Sequence, residues 1–287
     1  MADIVANTEA GVVDAVRAAR EHRRTLEIIG GGTRRSFGRP TQCDDVLDLS
    51  ALSGIVNYEP EELILTVKPG TPLDEIESVL TAKSQRLGFE PQDWRALLGT
   101  HGTPTIGGAI SANANGPATV RFGCARDHLL GFRSANGFGE AYKAGGRVVK
   151  NVTGFDLPKL MCGAMGTLGP LTELTFRVFP KSAAKIFMMA CDSNAVLRKV
   201  ASSPLEATAL LYADGNAYVR LEGALEEKTA MLRDLGDFAE VETLPSPVLP
   251  AAPFPPEPPA RAALTRAVKA AFDPLGLFNP GRMYEGV

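Results

Sequence analysis

Apolar residues first recur at helical spacing in residues 8–23, where Val12, Val13, Val16 and Ala19 share one face and Thr8 can cap the N-terminus, so the chain is predicted to open with an amphipathic helix. Leu26, Ile28 and Ile29 follow as a short apolar run ending in Gly30-Gly31-Gly32, which predicts a strand feeding a loop. Further strands are predicted at 46–49, 55–58 and 63–67, with Glu59-Pro60-Glu61-Glu62 turning between the last two. Pro72 is expected in the first turn of a helix whose stripe is Leu73, Ile76, Val79 and Leu80. Between residues 84 and 170 glycine interrupts every run before three helical turns can form, so loops should dominate there. The exceptions are a helix from 106 to 114, a strand at 129–134 and a short helix after Asp156-Leu157-Pro158. The alternating run 171–179 predicts a strand closed by Pro180.

From Lys185 the pattern changes to strand 186–190, helix 195–200, a hairpin of 209–212 and 217–221 across Asp214-Gly215, helix 225–235 and strand 240–244. That βαββαβ order is the ferredoxin-like pattern. Residues 245–259 hold 8 of the chain's 21 prolines and are expected to run extended. A last helix, 260–272, precedes the tail Asp273-Pro274-Leu275-Gly276-Leu277-Phe278-Asn279-Pro280-Gly281-Arg282. The expected organisation is a domain over 1–180, a small βαββαβ unit over 181–244, a linker over 245–259 and a segment over 260–287 returning to the first domain.

Composition sharpens this picture at one place. Of 29 glycines in 287 residues, 15 lie between positions 99 and 169, as though backbone there approaches something closely. Other features exclude function classes. The four cysteines, Cys43, Cys124, Cys162 and Cys191, form no C-x-x-C pair, which argues against a zinc ribbon, a redox dithiol or a local iron-sulfur loop and for free thiols in a reducing compartment. A formal charge of -3 with no long basic run offers no track for nucleic acid. No signal-peptide core and no apolar run near the ~20 residues of a membrane span is present, so a cytoplasmic protein is expected. No two histidines stand at metal-ligand spacing.

The loop Gly30-Gly31-Gly32-Thr33-Arg34-Arg35-Ser36-Phe37-Gly38 follows a strand, so successive main-chain N–H groups can curl around a diphosphate, with Thr33, Ser36 and Arg34 or Arg35 as added donors. It is not a Walker loop, which ends in Gly-Lys-Ser/Thr, and Arg35 occupies the third glycine position of G-x-G-x-x-G. Four more segments let backbone approach a ligand: Thr103 to Gly108, Asn113 to Gly116, Arg121-Phe122-Gly123 and Gly163 to Gly169. So many approaches suit a long cofactor better than a small substrate.

The motifs IIGGGTRRSFG, PGTPLDEI, TIGGAISANANGP, RFGCARDHLLGF, VVKNVTGFDLPKL, MGTLGPLTELTFRVFP and DPLGLFNPGR occur here in the order seen in FAD-binding proteins of the vanillyl-alcohol oxidase type. The set most resembles the FAD-binding subunits of bacterial glycolate oxidases, closely over 25–180 and again over 272–282. The resemblance implies an α+β fold of two subdomains with FAD between them, followed by an antiparallel cap. It implies that Gly30 to Gly38 hold the diphosphate, that Thr105, Ile106, Gly107, Gly108, Gly116 and Gly123 line the cofactor, and that Gly166, Thr167 and Leu168 lie along the adenosine. Asn113, Arg121, Asp127 and the run Lys150 to Gly154 fall at family positions as well. Relatives that bind FAD covalently through the first loop carry His there; this loop has Arg34, Arg35 and Ser36, so noncovalent FAD is expected. The cap looks reduced, since related subunits carry a longer segment where this chain has its proline-rich stretch.

Oxidation of a 2-hydroxy acid by flavin calls for a group that takes the hydroxyl proton. Of the three histidines, His22 ends a helix, His128 precedes a buried-looking strand, and His101, in Gly99-Thr100-His101-Gly102, is the best candidate base. Arg121, Arg126 and Arg133 suit a phosphate or carboxylate but pair with the protein's own acids by default. A full set of cofactor segments beside few catalytic ones suggests an FAD-binding oxidoreductase subunit of a glycolate-oxidase-like complex. The resemblance implies as partners a related flavoprotein subunit and an iron-sulfur subunit, with a small 2-hydroxy acid as substrate of the complex and peripheral attachment to the inner face of the membrane through those partners. The alternatives are a self-sufficient 2-hydroxy-acid dehydrogenase and a noncatalytic FAD-bearing scaffold.

Overall fold

The computed structural model describes residues 3–146, 155–246 and 254–287. The run Lys150 to Gly154 and residues 247–253 of the proline-rich stretch lie outside them.

The opening helix spans Glu9–His22 and buries Val12, Val13, Val16 and Ala19, with Thr8 Oγ1 accepting the Gly11 N–H at 3.1 Å. It ends where Arg23 adopts a left-handed conformation and its N–H returns to the carbonyls of Ala19 and Arg20. The helix connects the two outer strands of a parallel three-stranded sheet ordered Asp3–Val5, Asp45–Asp48, Leu26–Ile29. Asp3–Val5 is a strand that hydropathy alone does not predict, because three residues carry no period.

A second sheet is antiparallel, in the order Ile55–Glu59, Ile64–Val67, Leu171–Arg177, Leu129–Ala135, Ala141–Gly145. Its inner face buries Leu65, Val67, Phe132, Leu174 and Phe176 against Ile76 and Leu80 of the helix Leu73–Thr81. Pro72 stands outside that helix at its N-cap, not in the first turn, because its extended backbone bridges to Thr105. The predicted strand 171–179 is likewise divided. Leu171–Arg177 joins the large sheet, whereas Phe179–Pro180 turns away to pair with Gln85–Arg86.

The third sheet takes the order Ala209–Ala213, Asn216–Glu222, Ala184–Ala190, Ala239–Val241, all antiparallel. With helices Ala195–Ala201 and Leu225–Arg233 it has the ferredoxin-like strand order, around a core of Phe187, Val200, Leu205, Val219, Leu221 and Leu232. After the helix Pro259–Phe272, the tail returns to the first sheet, where Phe278 bridges in parallel to Leu26 and is fully buried.

Candidate functional site

A cleft opens between the parallel sheet and the large antiparallel sheet. Ile28, Ile29, Gly30 to Arg35 and Leu49 line it from the first, while Pro69, Thr105, Gly107, Gly108 and Leu171 line it from the second. Met165, Gly166, Gly169 and two tail residues, Asn279 and Arg282, complete the wall. Thr105 caps the short helix Ile106–Ser111, its Oγ1 accepting from the Gly108 N–H at 3.4 Å.

The glycine loop offers donors. Among the described residues, the main-chain N–H groups of Gly30 to Arg34 are bonded to no other group. The pairing resumes only with Arg35 N–H to the Gly32 carbonyl and Phe37 N–H to the Arg34 carbonyl. Two of the glycines are required by packing rather than by a ligand. A Cβ on Gly31 would overlap the Thr103 carbonyl, and one on Gly102 would overlap the Gly31 carbonyl. Thr100 Oγ1 adds a bond of 2.7 Å to the Thr33 carbonyl, so residues 100–105 are laid directly against the loop.

The arginines of the cleft divide by partner. Arg35 and Arg282 both hold the buried carboxylate of Glu27: Arg35 Nε and Nη2 donate at 2.9 and 2.5 Å, and Arg282 Nη2 at 2.9 Å. Glu27 sits in the strand before the loop and Arg282 in the tail, so this triad pins both ends of the site. Arg34 is different. Its guanidinium stacks 5.0 Å above the Trp94 ring and gives one bond, Nη2 to the Gln92 carbonyl at 2.9 Å, while Nε and Nη1 have no partner. Trp94 Nε1 is also buried without an acceptor. Burial pushes the Arg34 pKa down to about 10, which still leaves it charged at neutral pH.

The remaining sequence-predicted residues sit elsewhere. Phe37 belongs to an aromatic cluster with Trp94 and Phe254, Ser36 is exposed, and Gly38 packs under the Arg282 carbonyl. Ile106, Thr167 and Leu168 are buried in the protein beside the cleft rather than lining it. Asn113 accepts from Cys162 Sγ, and Gly116 packs on Glu90. Arg121 is spent on Glu206 at 2.7 Å, and Asp127 caps the short helix Ala125–His128 by accepting the Cys124 N–H, with Gly123 packed against it. His101 is exposed on the segment that covers the loop and does not line the cleft.

Residues 2–145 match the family described as FAD binding domain. The chain belongs to that family. Its sequence is 35% identical over 216 residues to glycolate oxidase subunit GlcE of Escherichia coli (strain K12), covering 74% of this chain and 60% of that protein. It is 32% identical over 176 residues to glycolate oxidase subunit GlcD of Bacillus subtilis (strain 168), covering 61% and 36%. A D-2-hydroxyglutarate dehydrogenase of Xanthomonas citri pv. viticola is 33% identical over 187 residues, covering 64% and 38%. The chain therefore spans less than two thirds of the length of each. An alkyldihydroxyacetonephosphate synthase structure superposes with a TM-score of 0.66 at 16% identity, over 81% of this chain and 49% of that one, which places the FAD-binding domain in the vanillyl-alcohol oxidase type of fold.

The residues present fit FAD. Five consecutive free N–H groups and a buried guanidinium with two unpartnered nitrogens ask for anionic oxygen atoms, which a dinucleotide diphosphate carries. The FAD-binding domain also depends on residues that the hydropathy pattern does not single out: Glu27, Lys269, Asp273, Asn279 and Arg282. Asn279 Oδ1 accepts the Ile28 N–H at 2.8 Å while its Nδ2 donates to the Met165 carbonyl at 2.6 Å, so one side chain ties two walls of the cleft. The signal for it in the sequence is the turn-rich tail, in which Asn279 adopts a positive φ of 42° before Pro280.

Proposed function

We propose that the chain is an FAD-binding oxidoreductase subunit of a complex that oxidises a small 2-hydroxy acid and passes the electrons to a related flavoprotein subunit and an iron-sulfur subunit. One observation carries this reading: among the described residues, the titratable side chains lining the cleft are three arginines, Arg34, Arg35 and Arg282. Arginine keeps its protons and accepts none, so these groups bind and orient anions but cannot take a proton from a hydroxyl. FAD, when bound, supplies the electron acceptor. The chain's own part is to hold the diphosphate on Gly30 to Arg34 and to keep the loop shaped through Thr100, Thr103 and Glu27. The names of two relatives as glycolate oxidase subunits support assembly with partners. Among the described residues no helix is long and apolar enough to cross a membrane, and attachment to the inner face through partners is part of the proposal.

The cofactor is held noncovalently in this reading, because Thr33, Arg34, Arg35 and Ser36 offer no histidine to bond the flavin. Acid precipitation should leave the yellow colour in the supernatant; a yellow pellet overturns this point. The purified chain should take up FAD without being bleached by glycolate or D-lactate, and bleaching should appear when the partner subunits are added. Bleaching of the isolated chain would make it a self-sufficient dehydrogenase. His101→Ala should then be the first variant measured, and a rate loss above about 100-fold would assign the base.

A further inference from the structure

Arg34 is nine-tenths buried, yet Nε and Nη1 of its guanidinium meet no acceptor among the described residues. The cost of burying such a group is ordinarily offset by a full set of hydrogen bonds. The neighbouring acids are already taken. Asp93 is held by Arg95, with Nη2 to Oδ2 at 2.6 Å, and Glu27 is shared between Arg35 and Arg282. Arg34 is also fixed in place. The Trp94 ring lies against one face at 5.0 Å, the Gln92 carbonyl holds Nη2, and Nη1 stands beside Gly108 in the cleft lining. A planar guanidinium held this way presents its free N–H groups without further loss of side-chain freedom. It follows directly on the five free N–H groups of Gly30 to Arg34, so side chain and main chain ask for the same kind of partner.

We infer that Arg34, and not Arg35, is the charged side-chain anchor for the cofactor's diphosphate, and that the ligand-free protein carries this arginine as an unpaired buried cation that only the ligand satisfies. The inference rests on the proposed binding of FAD in this cleft. It makes the affinity depend on the phosphates: FAD and ADP should engage Arg34, whereas riboflavin, which has no phosphate, should not. The same buried cation should weaken the fold of the ligand-free chain, so that replacing it with an uncharged side chain of similar length relieves a cost.

The test uses the full-length chain stripped of flavin. Trp94 is the single tryptophan, and it stacks on Arg34, so its fluorescence reports binding directly. Titrations with FAD, ADP and riboflavin on the parent, Arg34→Met and Arg34→Lys, with thermal melts of each ligand-free form, give the comparison. Arg34→Met should bind FAD and ADP about 10- to 100-fold more weakly, with riboflavin unchanged within about twofold. Arg34→Lys, which keeps the charge and loses the fork, should fall between. The ligand-free Arg34→Met chain should melt no lower than the parent. A parent chain that binds FAD while Arg34→Met binds it equally well overturns the anchor and leaves the functional reading standing. A parent that binds no FAD overturns both. A weakening that extends equally to riboflavin, or a ligand-free Arg34→Met chain that melts lower, overturns the assignment to the diphosphate or the unpaired cation, respectively.

Discussion

Lys269 Nζ donates to the Thr167 carbonyl at 2.6 Å, and its other two protons go to Asp273 Oδ2 at 2.7 Å and the Phe278 carbonyl at 2.8 Å. All three ammonium donors are thereby used inside the protein. Asp273 in turn accepts the N–H groups of Leu277 and Phe278, so a single buried ion pair fixes the C-terminal helix, the tail and the Gly166 wall of the cleft to one another.

Lys269→Met should leave the Asp273 carboxylate buried without its cation, at a cost of about 3–5 kcal/mol. Denaturant unfolding measures this directly. Because the loss comes from the stranded partner, Lys269→Met combined with Asp273→Asn should cost less than the sum of the two changes made separately. An additive result would mean that the pair is not a unit.

Two adjacent glycines should respond differently to the same substitution. Gly31→Ala drives a methyl into the Thr103 carbonyl, which can move only if the whole covering segment moves, so FAD binding should fall by more than about 100-fold. Gly32 has a φ of +72° and nothing within 4 Å of its Cβ position, so Gly32→Ala meets only the left-handed backbone penalty of about 1–2 kcal/mol. Flavin titration and thermal melts of the two variants separate packing from backbone strain. Equal effects would remove the distinction.

The same contrast marks what was legible in the sequence. The helix Glu9–His22, the strand Leu26–Ile29 and the loop after it could be read because each has a local cause: an apolar stripe with a capping threonine, an apolar run, a glycine cluster. Glycine enrichment correctly signals close approach but does not say to what. Gly31, Gly102, Gly107 and Gly116 approach the protein's own chain, while Gly30 to Arg34 also leave their N–H groups free. The strand Ala141–Gly145 has little β propensity and exists because Leu129–Ala135 offers it an edge. The Glu27, Arg35 and Arg282 triad joins residues 255 positions apart, and no local pattern encodes it. Lys269 and Asp273 do stand four apart on a helix, a spacing that predicts an exposed pair, whereas the tail that buries them is a tertiary fact.

His128 should make stability fall in mild acid. Its ring is almost fully buried between Phe89 and Phe179, with Nδ1 unpartnered and Nε2 at 3.4 Å from the Gly123 carbonyl. Burial, outweighing the bonds to the Gly123 and Phe122 backbone, holds its pKa below the ordinary 6.5. The unfolded chain therefore takes up a proton near pH 6.5 that the folded chain refuses, so the contribution is complete above 6.5 and declines below it, by at most about 1.4 kcal/mol per pH unit. Urea midpoints of the parent and His128→Leu at pH 7.5, 6.5 and 5.5 should show a smaller acid loss in the variant. Parallel profiles would mean that His128 is as readily protonated folded as unfolded.

The small antiparallel sheet is held to the FAD-binding domain by charge as well as by chain connection. Glu222 accepts from Arg86 Nη1 and Nη2 at 2.8 and 2.7 Å and from Thr208 Oγ1 at 2.9 Å, while Arg220 Nη2 reaches Glu90 Oε2 at 2.9 Å. Two arginines and two glutamates, each no more than a quarter exposed, alternate in sign; each unit pairs its own arginine and glutamate at 3.2 and 3.3 Å, and docking adds the two shorter pairs that cross between the units. Nearby, Arg121 and Glu206 meet at 2.7 Å with about half of each side chain exposed. Glu222→Gln should cost about 1.5–3 kcal/mol and open residues 184–241 to proteolysis, because it takes from Arg86 its bidentate partner and leaves it only Glu90 at 3.2 Å. Arg121→Ala should cost less than about 1 kcal/mol and leave the cleavage pattern unchanged, because water replaces the lost partner. Limited proteolysis with denaturant midpoints compares them, and a Glu222→Gln chain as resistant as Arg121→Ala would show that apolar contact alone keeps the two units together.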